Sequence, residues 1–215
     1  GLMASAWRGN FLFVIWSEYM TPTESAAAKP QLITPTFVLA WVANFCQFLV
    51  FYLFVTTMAL YAVESFGASD TVGGFASSAF VLGATCMRVF SGWIVDRVGH
   101  KKAALASLAF VTVVAVAYFF AHNVAVLIIV RMVHGAAYAL TSTALMAVAQ
   151  SVIPHERRAE GTGYFALGTT LATAFGPAIG LLLANNIGYT TLFAVALGAN
   201  IVSLILALVL RYPAE

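Results

Sequence analysis

Long apolar segments separated by short polar connections dominate this chain. Six segments approach or exceed the roughly 20 residues that a helix needs to cross the hydrocarbon core of a bilayer. They cover residues 37–61, 72–92, 103–121, 124–149, 163–184 and 189–210. The pattern predicts an all-α integral membrane protein with six transmembrane helices.

The connections between these segments alternate in charge. Those after the first, third and fifth segments contain no lysine or arginine. Those after the second and fourth are basic, with Asp96, Arg97, His100, Lys101, Lys102 in one and His155, Glu156, Arg157, Arg158, Glu160 in the other, and Arg211 follows the sixth segment. Because loops rich in Lys and Arg are retained on the cytoplasmic side, we expect both termini there. An even number of spans agrees with this orientation.

Composition supports the membrane class and excludes several functions. The chain is 62% hydrophobic and only 8% charged, whereas soluble domains carry about 25% charged residues. A net charge of +2 argues against a nucleic-acid partner. Cys46 and Cys86 lie in apolar segments outside any CxxC motif, so we predict no metal site, disulfide or cofactor. No HExxH, GxSxG or paired intramembrane carboxylates occur, so the sequence does not indicate an enzyme.

The first 36 residues are less apolar, and we predict a cytoplasmic leader over 1–36. A signal peptide is one alternative, with Arg8 as its basic region, but the apolar run 11–16 is shorter than the usual ~7–15 residues. A natural start at Met20 is another. The sequence leaves these alternatives open.

Two polar pairs lie inside the spans and suggest an internal symmetry. Asn44 and Gln47 in the first segment, and Arg131 and His134 in the fourth, are each spaced i, i+3 and so share a helix face. The first and fourth segments run in opposite directions, which predicts a 3+3 inverted repeat of the kind found in secondary transporters. Tyr138 continues the stripe of the fourth segment, and a buried charge such as Arg131 should face a cavity or a partner. We therefore predict a substrate or proton pathway here, with hydrogen bonding between helices as the alternative.

The loop after the second segment carries the most specific motif. It reads Gly92-Trp-Ile-Val-Asp96-Arg97-Val-Gly99-His100-Lys101-Lys102. This resembles the signature G-x-x-x-D-R-x-G-R-K of the major facilitator superfamily, with His100 where the family usually has Arg. We interpret it as a conformational latch: Gly92 permits close helix approach, Gly99 a tight turn, and Asp96 can meet a helix N-terminus or a basic partner. The alternative, that basic residues only set topology, explains Lys101 and Lys102 but not Asp96 and the two glycines.

Two further elements extend the resemblance over 37–211. Arg131 followed four residues later by Gly135 is similar to a second family element. The stretch Ala172-x-x-x-Gly176-Pro177-x-x-Gly180 resembles the element that marks the antiporter branch, with Ala172 where Gly is usual. Small residues four apart favour close helix packing, and Pro177 should bend the helix. Generic helix packing is the alternative.

The resemblance implies a specific architecture. Residues 37–211 would form the amino-terminal six-helix lobe of a transporter in the plasma (inner) membrane, and 212–215 would begin a central cytoplasmic loop. Helices one, two, four and five would line a central cavity. The second lobe would be a missing carboxy-terminal half, a second copy or a separate chain.

The antiporter-like element favours export coupled to protons. Drugs, other amphipathic compounds or metal-chelating small molecules are the candidate cargo. No Asp or Glu lies deep inside a predicted span. Because imidazole titrates near pH 6.5, His134 is a candidate proton carrier, although the coupling group could equally belong to the second lobe. The alternative from another class is a membrane module that binds another membrane protein without transporting anything.

Overall fold

The computed structural model describes residues 30–210 and residue 212. Over this part of the chain the protein consists of six long helices and no strand. They are α1 (Pro35–Phe66), α2 (Asp70–Val98), α3 (His100–Ala117), α4 (Val124–Val152), α5 (Arg158–Asn186) and α6 (Tyr189–Val209), with short 3₁₀ turns at Tyr118–Phe120 and His155–Arg157. All six are long and apolar enough to cross a membrane, which confirms the predicted all-α fold. Residues 1–29 of the predicted leader lie outside the described residues.

Most helices are longer than the apolar segments that predicted them. The 32 residues of α1 extend about 48 Å at ~1.5 Å per residue, well beyond the ~30 Å hydrocarbon core. Side-chain caps fix three of the starts, because Thr34, Ser69 and Asn123 each accept a hydrogen bond from a backbone N–H of the first turn. Gly99 alone separates α2 from α3. Its φ of 92° is a conformation that glycine adopts without steric cost.

The helices are arranged as an inverted repeat. The most extensive contacts join α2 to α4 and α1 to α5, followed by α3 to α4 and α1 to α6. If α1, α2 and α3 are exchanged with α4, α5 and α6, each of these pairs maps onto another pair of the set. The helix packing therefore follows the 3+3 relation that the sequence predicts.

Glycines allow α2 and α4, the helix pair with the most extensive contacts, to approach closely. A Cβ atom at Gly83 of α2 would collide with the carbonyl group of Met132 on α4, and one at Gly135 of α4 would collide with the carbonyl group of Phe80 on α2. The contact is thus reciprocal, with one glycine from each helix. Helix backbones that touch in this way are typical of membrane proteins. The hydrophobic effect does not drive helices together in lipid, so association depends on close packing, which small residues permit.

Candidate functional site

A groove of about 270 Å³ opens on one face of the six-helix lobe. Helices α1, α2, α4 and α5 supply its walls, and α3 and α6 do not contribute. The lining residues are Asn44, Phe48, Arg88, Ser142, Thr143, Met146, Phe165, Ala166 and Thr169. These four helices are the ones that the family resemblance implies for a central cavity. We refer to this feature as the groove.

Arg88 is the charged residue of the groove, and sequence reasoning missed it. Helix α2 contains 29 residues, and Arg88 lies four residues beyond its midpoint, or about 6 Å along the axis. Its side chain is exposed on the lobe surface and forms no hydrogen bond or salt bridge within the described part of the chain. A charge at this depth is costly unless it faces water or a partner. The sequence does contain a signal for Arg88: it is an arginine inside an apolar segment, where an unpartnered charge is costly. That signal could have identified Arg88 as a candidate.

The structure separates the predicted pair Asn44 and Gln47. Asn44 lines the groove although it is only 3% exposed. Gln47 faces the other way, where its Nε2 donates to Oδ1 of Asn200 on α6 at 2.9 Å. The second amide is therefore a link between helices α1 and α6 and does not contribute to the groove.

Arg131 lies inside the lobe and is fully buried. Its Nη2 donates to the carbonyl oxygen of Ser77 at 2.8 Å and its Nε to that of Ala76 at 3.4 Å, both on α2. The guanidinium carbon also lies 4.9 Å from the ring centroid of Phe80 and 5.9 Å from that of Phe54. Its Nη1 has no partner among the described residues. Arg131 thus binds two helices together, as in the alternative based on interhelical hydrogen bonding, and it does not line the groove.

His134 is buried one turn further along α4. Its Nδ1 lies 2.9 Å from the hydroxyl of Tyr118, in the 3₁₀ turn after α3. Tyr138, the next residue of the predicted stripe, packs edge-on against Phe48 with ring centroids 5.5 Å apart. Tyr138 therefore packs against Phe48, a residue that lines the groove, whereas His134 lies in the interior of the lobe.

The predicted latch residues lie at the end of α2 and the start of α3. Asp96 is exposed and forms no hydrogen bond or ion pair within the described part of the chain. The guanidinium carbon of Arg97 lies 5.4 Å from the ring centroid of Trp93. No atom of the described lobe lies within 4 Å of a Cβ built at Gly92, so the close approach predicted there does not occur within this lobe. This surface is open.

Lys101 and Tyr212 connect the start of α3 with the chain that follows α6. Nζ of Lys101 lies 5.7 Å from the ring centroid of Tyr212, and the tyrosine hydroxyl donates to the carbonyl oxygen of Ala207 at 3.0 Å. Burial raises the pKa of Tyr212 to about 12, because the charged phenolate is poorly solvated there. The hydroxyl therefore remains a hydrogen-bond donor at neutral pH.

The predicted small-residue face of α5 packs against α1. Ala172, Gly176 and Gly180 are all buried, and a Cβ at Gly180 would come within 2.5 Å of the carbonyl oxygen of Leu53. Helix α5 continues through Pro177. The antiporter-like element thus lies where α5 and α1, two walls of the groove, are in closest contact.

The fold and the groove define a class of protein. It is an integral membrane protein built as a six-helix lobe with an inverted repeat, and polar and apolar side chains together line a groove on one face. The family model described as Major Facilitator Superfamily matches residues 40–215. The chain belongs to this superfamily, which confirms the resemblance drawn from the three sequence elements.

Curated relatives include named exporters. The chain is 31% identical over 133 residues to the staphylopine export protein of Staphylococcus aureus, covering 61% of this chain and 32% of that protein. It is 29% identical over 161 residues to the multi-drug resistance efflux pump PmrA of Streptococcus pneumoniae, covering 72% and 39%. An uncharacterised protein of Mycobacterium tuberculosis is 35% identical over 124 residues, covering 57% and 29%. The matched region therefore spans less than two fifths of each relative.

Proposed function

We propose that this chain forms one lobe of a secondary active transporter that exports small amphipathic molecules in exchange for protons. The groove is the observation that carries the proposal, because it combines polar and aromatic side chains on the four helices that line the pathway in this superfamily. The antiporter-like element of α5 supports export. Two relatives bear names that state export or efflux.

The protein is placed in the plasma membrane in this proposal. The distribution of positive charge supports an orientation with both termini in the cytoplasm. The helix ends and turns where α2 meets α3 and where α4 meets α5 are basic; they contain Arg97, Lys101, Lys102, Arg157 and Arg158. The connections at the other end of the lobe carry no lysine or arginine. Because positive residues stay inside during insertion, the end of α2 nearer to Arg88 is the cytoplasmic end in this proposal.

A second six-helix lobe completes the pathway. The groove is open on one side of this lobe, and binding sites of such transporters lie between two lobes near the midplane. Asp96 and Gly92 are exposed at the cytoplasmic edge, where they would contact that second lobe and act as the latch. The second lobe could be supplied by further sequence, by a second copy or by a separate chain.

Transport by the complete two-lobe protein in proteoliposomes tests the proposal. A fluorescent amphipathic dye is supplied on the face corresponding to the cytoplasm, and a pH gradient is imposed with the opposite compartment acidic. We expect dye to move into the acidic compartment and to stop when nigericin collapses the gradient. Dye movement that is the same with and without the gradient would refute proton coupling, and no movement of any amphipathic probe would refute transport.

The proton carrier on this lobe is assigned to His134. It is the histidine placed within a span, since His100, His122 and His155 lie at helix ends or in connections. We expect His134→Gln to abolish gradient-driven dye accumulation while leaving dye exchange across the membrane without a gradient intact. Tyr118→Phe is the matched control, because it removes the hydrogen bond to the imidazole and leaves the imidazole itself. Gradient-driven transport that survives His134→Gln would assign the coupling group to the second lobe.

A further inference from the structure

The groove carries a positive charge that this lobe does not neutralise. Arg88 is the charged residue among those that line it. The acidic residues within the described part of the chain lie at helix ends and none of them lines the groove; they are Glu64, Asp70, Asp96, Glu156 and Glu160. Asp96 follows Arg88 on α2 by eight residues, about 12 Å along the axis. An anionic group from outside the lobe is therefore the natural partner of this guanidinium.

A second, independent feature of the groove also lacks a partner. Asn44 is 97% buried, since only 3% of its surface is exposed, and its side-chain amide forms no hydrogen bond within the described residues. Buried amides are nearly always hydrogen-bonded, to protein, water or ligand. Asn44 is one of the residues that line the groove. Its amide offers donors to whatever occupies that space.

The hydroxyls of α4 are already engaged. Arg88, Asn44 and the hydroxyl of Thr169 on α5, which forms no hydrogen bond within the described part of the chain, are therefore the available polar groups. Thr143 Oγ1 donates to the carbonyl oxygen of Ala139 at 2.8 Å and lies 3.1 Å from Oγ of Ser91. Ser142 Oγ donates to the same carbonyl oxygen at 3.2 Å. These hydroxyls satisfy helix carbonyls and do not compete for a ligand.

Much of the remaining wall of the groove is apolar. Phe48, Met146 and Phe165 line the groove together with these polar groups, and the ring of Tyr138 packs against Phe48. Aromatic and thioether side chains bind flat apolar surfaces through dispersion and sulfur–aromatic contacts. The groove thus offers an apolar surface next to an unneutralised guanidinium.

We propose that the groove selects substrates with an anionic carboxylate attached to an apolar, aromatic-sized body. This inference rests on the proposed function and names the chemical class of its cargo. The planar guanidinium of Arg88 can donate two parallel N–H bonds to one carboxylate, and Asn44 on α1 offers an amide donor in the same groove. A cationic amphiphile of the same shape meets only repulsion here, and a neutral one gains no charge-assisted hydrogen bond.

Binding of three probes of equal shape tests this selectivity. Purified two-lobe transporter in nanodiscs at pH 7 is titrated with 1-naphthoate, 1-naphthylmethanol and 1-naphthylmethylamine, followed by protein and naphthyl fluorescence. We expect naphthoate to bind about tenfold or more tightly than the alcohol, since a hydrogen bond to a charged group is worth at least that factor. The amine should bind most weakly. A preference for the amine, or no preference, would overturn the proposal.

Variants connect the selectivity to the two side chains. Arg88→Gln should weaken naphthoate binding about tenfold or more and leave the alcohol unchanged, and Arg88→Lys should retain part of the preference. Asn44→Asp keeps the size of the side chain but adds a negative charge, so it should weaken naphthoate and strengthen the amine. Arg158→Gln is the matched control, because Arg158 is exposed at the start of α5 and its loss removes the same charge outside the groove.

The alternative partner of Arg88 is a carboxylate of the second lobe, and the variants distinguish it. In that case Arg88→Gln would weaken the binding of all three probes to the same extent or would leave it unchanged for all three. Either result would overturn the proposal. Should Arg88→Gln fail to fold, Arg88→Lys and Asn44→Asp, both close in size to the native residues, provide the same comparison.

Failure of this inference differs from failure of the proposed function. Selective, Arg88-dependent binding of naphthoate without gradient-driven movement would refute transport and leave the carboxylate site standing. Gradient-driven movement of dyes without charge selectivity would support transport and refute the carboxylate site.

Discussion

At the scale of single residues, two arginines inside the spans have opposite surroundings. Arg131 is buried against the carbonyl oxygens of Ala76 and Ser77, whereas Arg88 is exposed in the groove without a partner in the described chain. A buried charge of the first kind holds helices together, because the cost of its desolvation is offset only in that one arrangement. A charge of the second kind is available to a ligand. The same residue type therefore packs helices together in α4 and, in our proposal, serves recognition in α2.

Arg131→Lys should destabilise the protein. The lysine ammonium cannot donate in two directions with the planar geometry of guanidinium, so at least one hydrogen bond to α2 and the contact with Phe80 are lost. We expect a loss of about 1–3 kcal/mol, measured as a lower thermal unfolding midpoint in detergent. The conservative control is Arg158→Lys at an exposed position, which should leave the midpoint unchanged. Equal midpoints for both variants would show that Arg131 contributes no specific stabilisation.

At the scale of helices, glycine contacts set how closely the walls of the groove approach each other. Gly83 and Gly135 bring α2 and α4 into backbone contact, and Gly176 and Gly180 do the same for α5 and α1. These pairs are related by the inverted repeat. Because α2, α4, α1 and α5 also line the groove, its width depends on the two glycine contacts.

Gly83→Ala should separate α2 from α4. The added methyl group collides with backbone atoms of Met132, which cannot move without shifting the helix, and we expect destabilisation by about 2 kcal/mol or more. Gly74→Ala on the same helix is the matched control, because nothing lies within 4 Å of a Cβ there. It should be neutral or stabilising by up to about 1 kcal/mol, since alanine favours helix more than glycine does. The prediction is contradicted if thermal unfolding shows the two variants to be alike.

At the scale of the whole molecule, the proposed function makes this lobe one wall of a pathway. The groove is lined by α1, α2, α4 and α5 and not by α3 or α6, and the exposed Asp96 and Gly92 lie at the cytoplasmic end of α2 in the proposed orientation. A solute bound in the groove would be in contact with lipid or water unless a second lobe covers it. Alternating access then consists of movement of one lobe against the other.

The isolated 215-residue chain, as a monomer, should not move solutes across a membrane. Size-exclusion chromatography with correction for bound detergent determines whether it is monomeric, and proteoliposomes made from that fraction measure transport. Addition of a second lobe, or formation of a dimer, should restore activity. Gradient-driven transport by a verified monomer would refute the requirement for a second lobe.

The six spans, the alternation of charge that predicts their orientation, and the family all follow from the sequence alone. These properties are local, because the length of an apolar segment and the charge of a loop act on the bilayer one segment at a time. The sequence also predicted Asn44 as a pathway residue, and Asn44 lines the groove. It did not separate Asn44 from Gln47, nor distinguish the role of Arg131 from that of Arg88.

Those distinctions depend on how the helices pack against one another in three dimensions. Gln47 bonds to Asn200, 153 positions away, and Arg131 bonds to residues 54 and 55 positions away. Which side of a helix faces a neighbour depends on its rotation and on the glycine contacts that bring particular helices together. Periodicity within one segment contains no information about that rotation. The groove with Arg88 is therefore a property of the packed lobe, and it follows from how α1, α2, α4 and α5 meet.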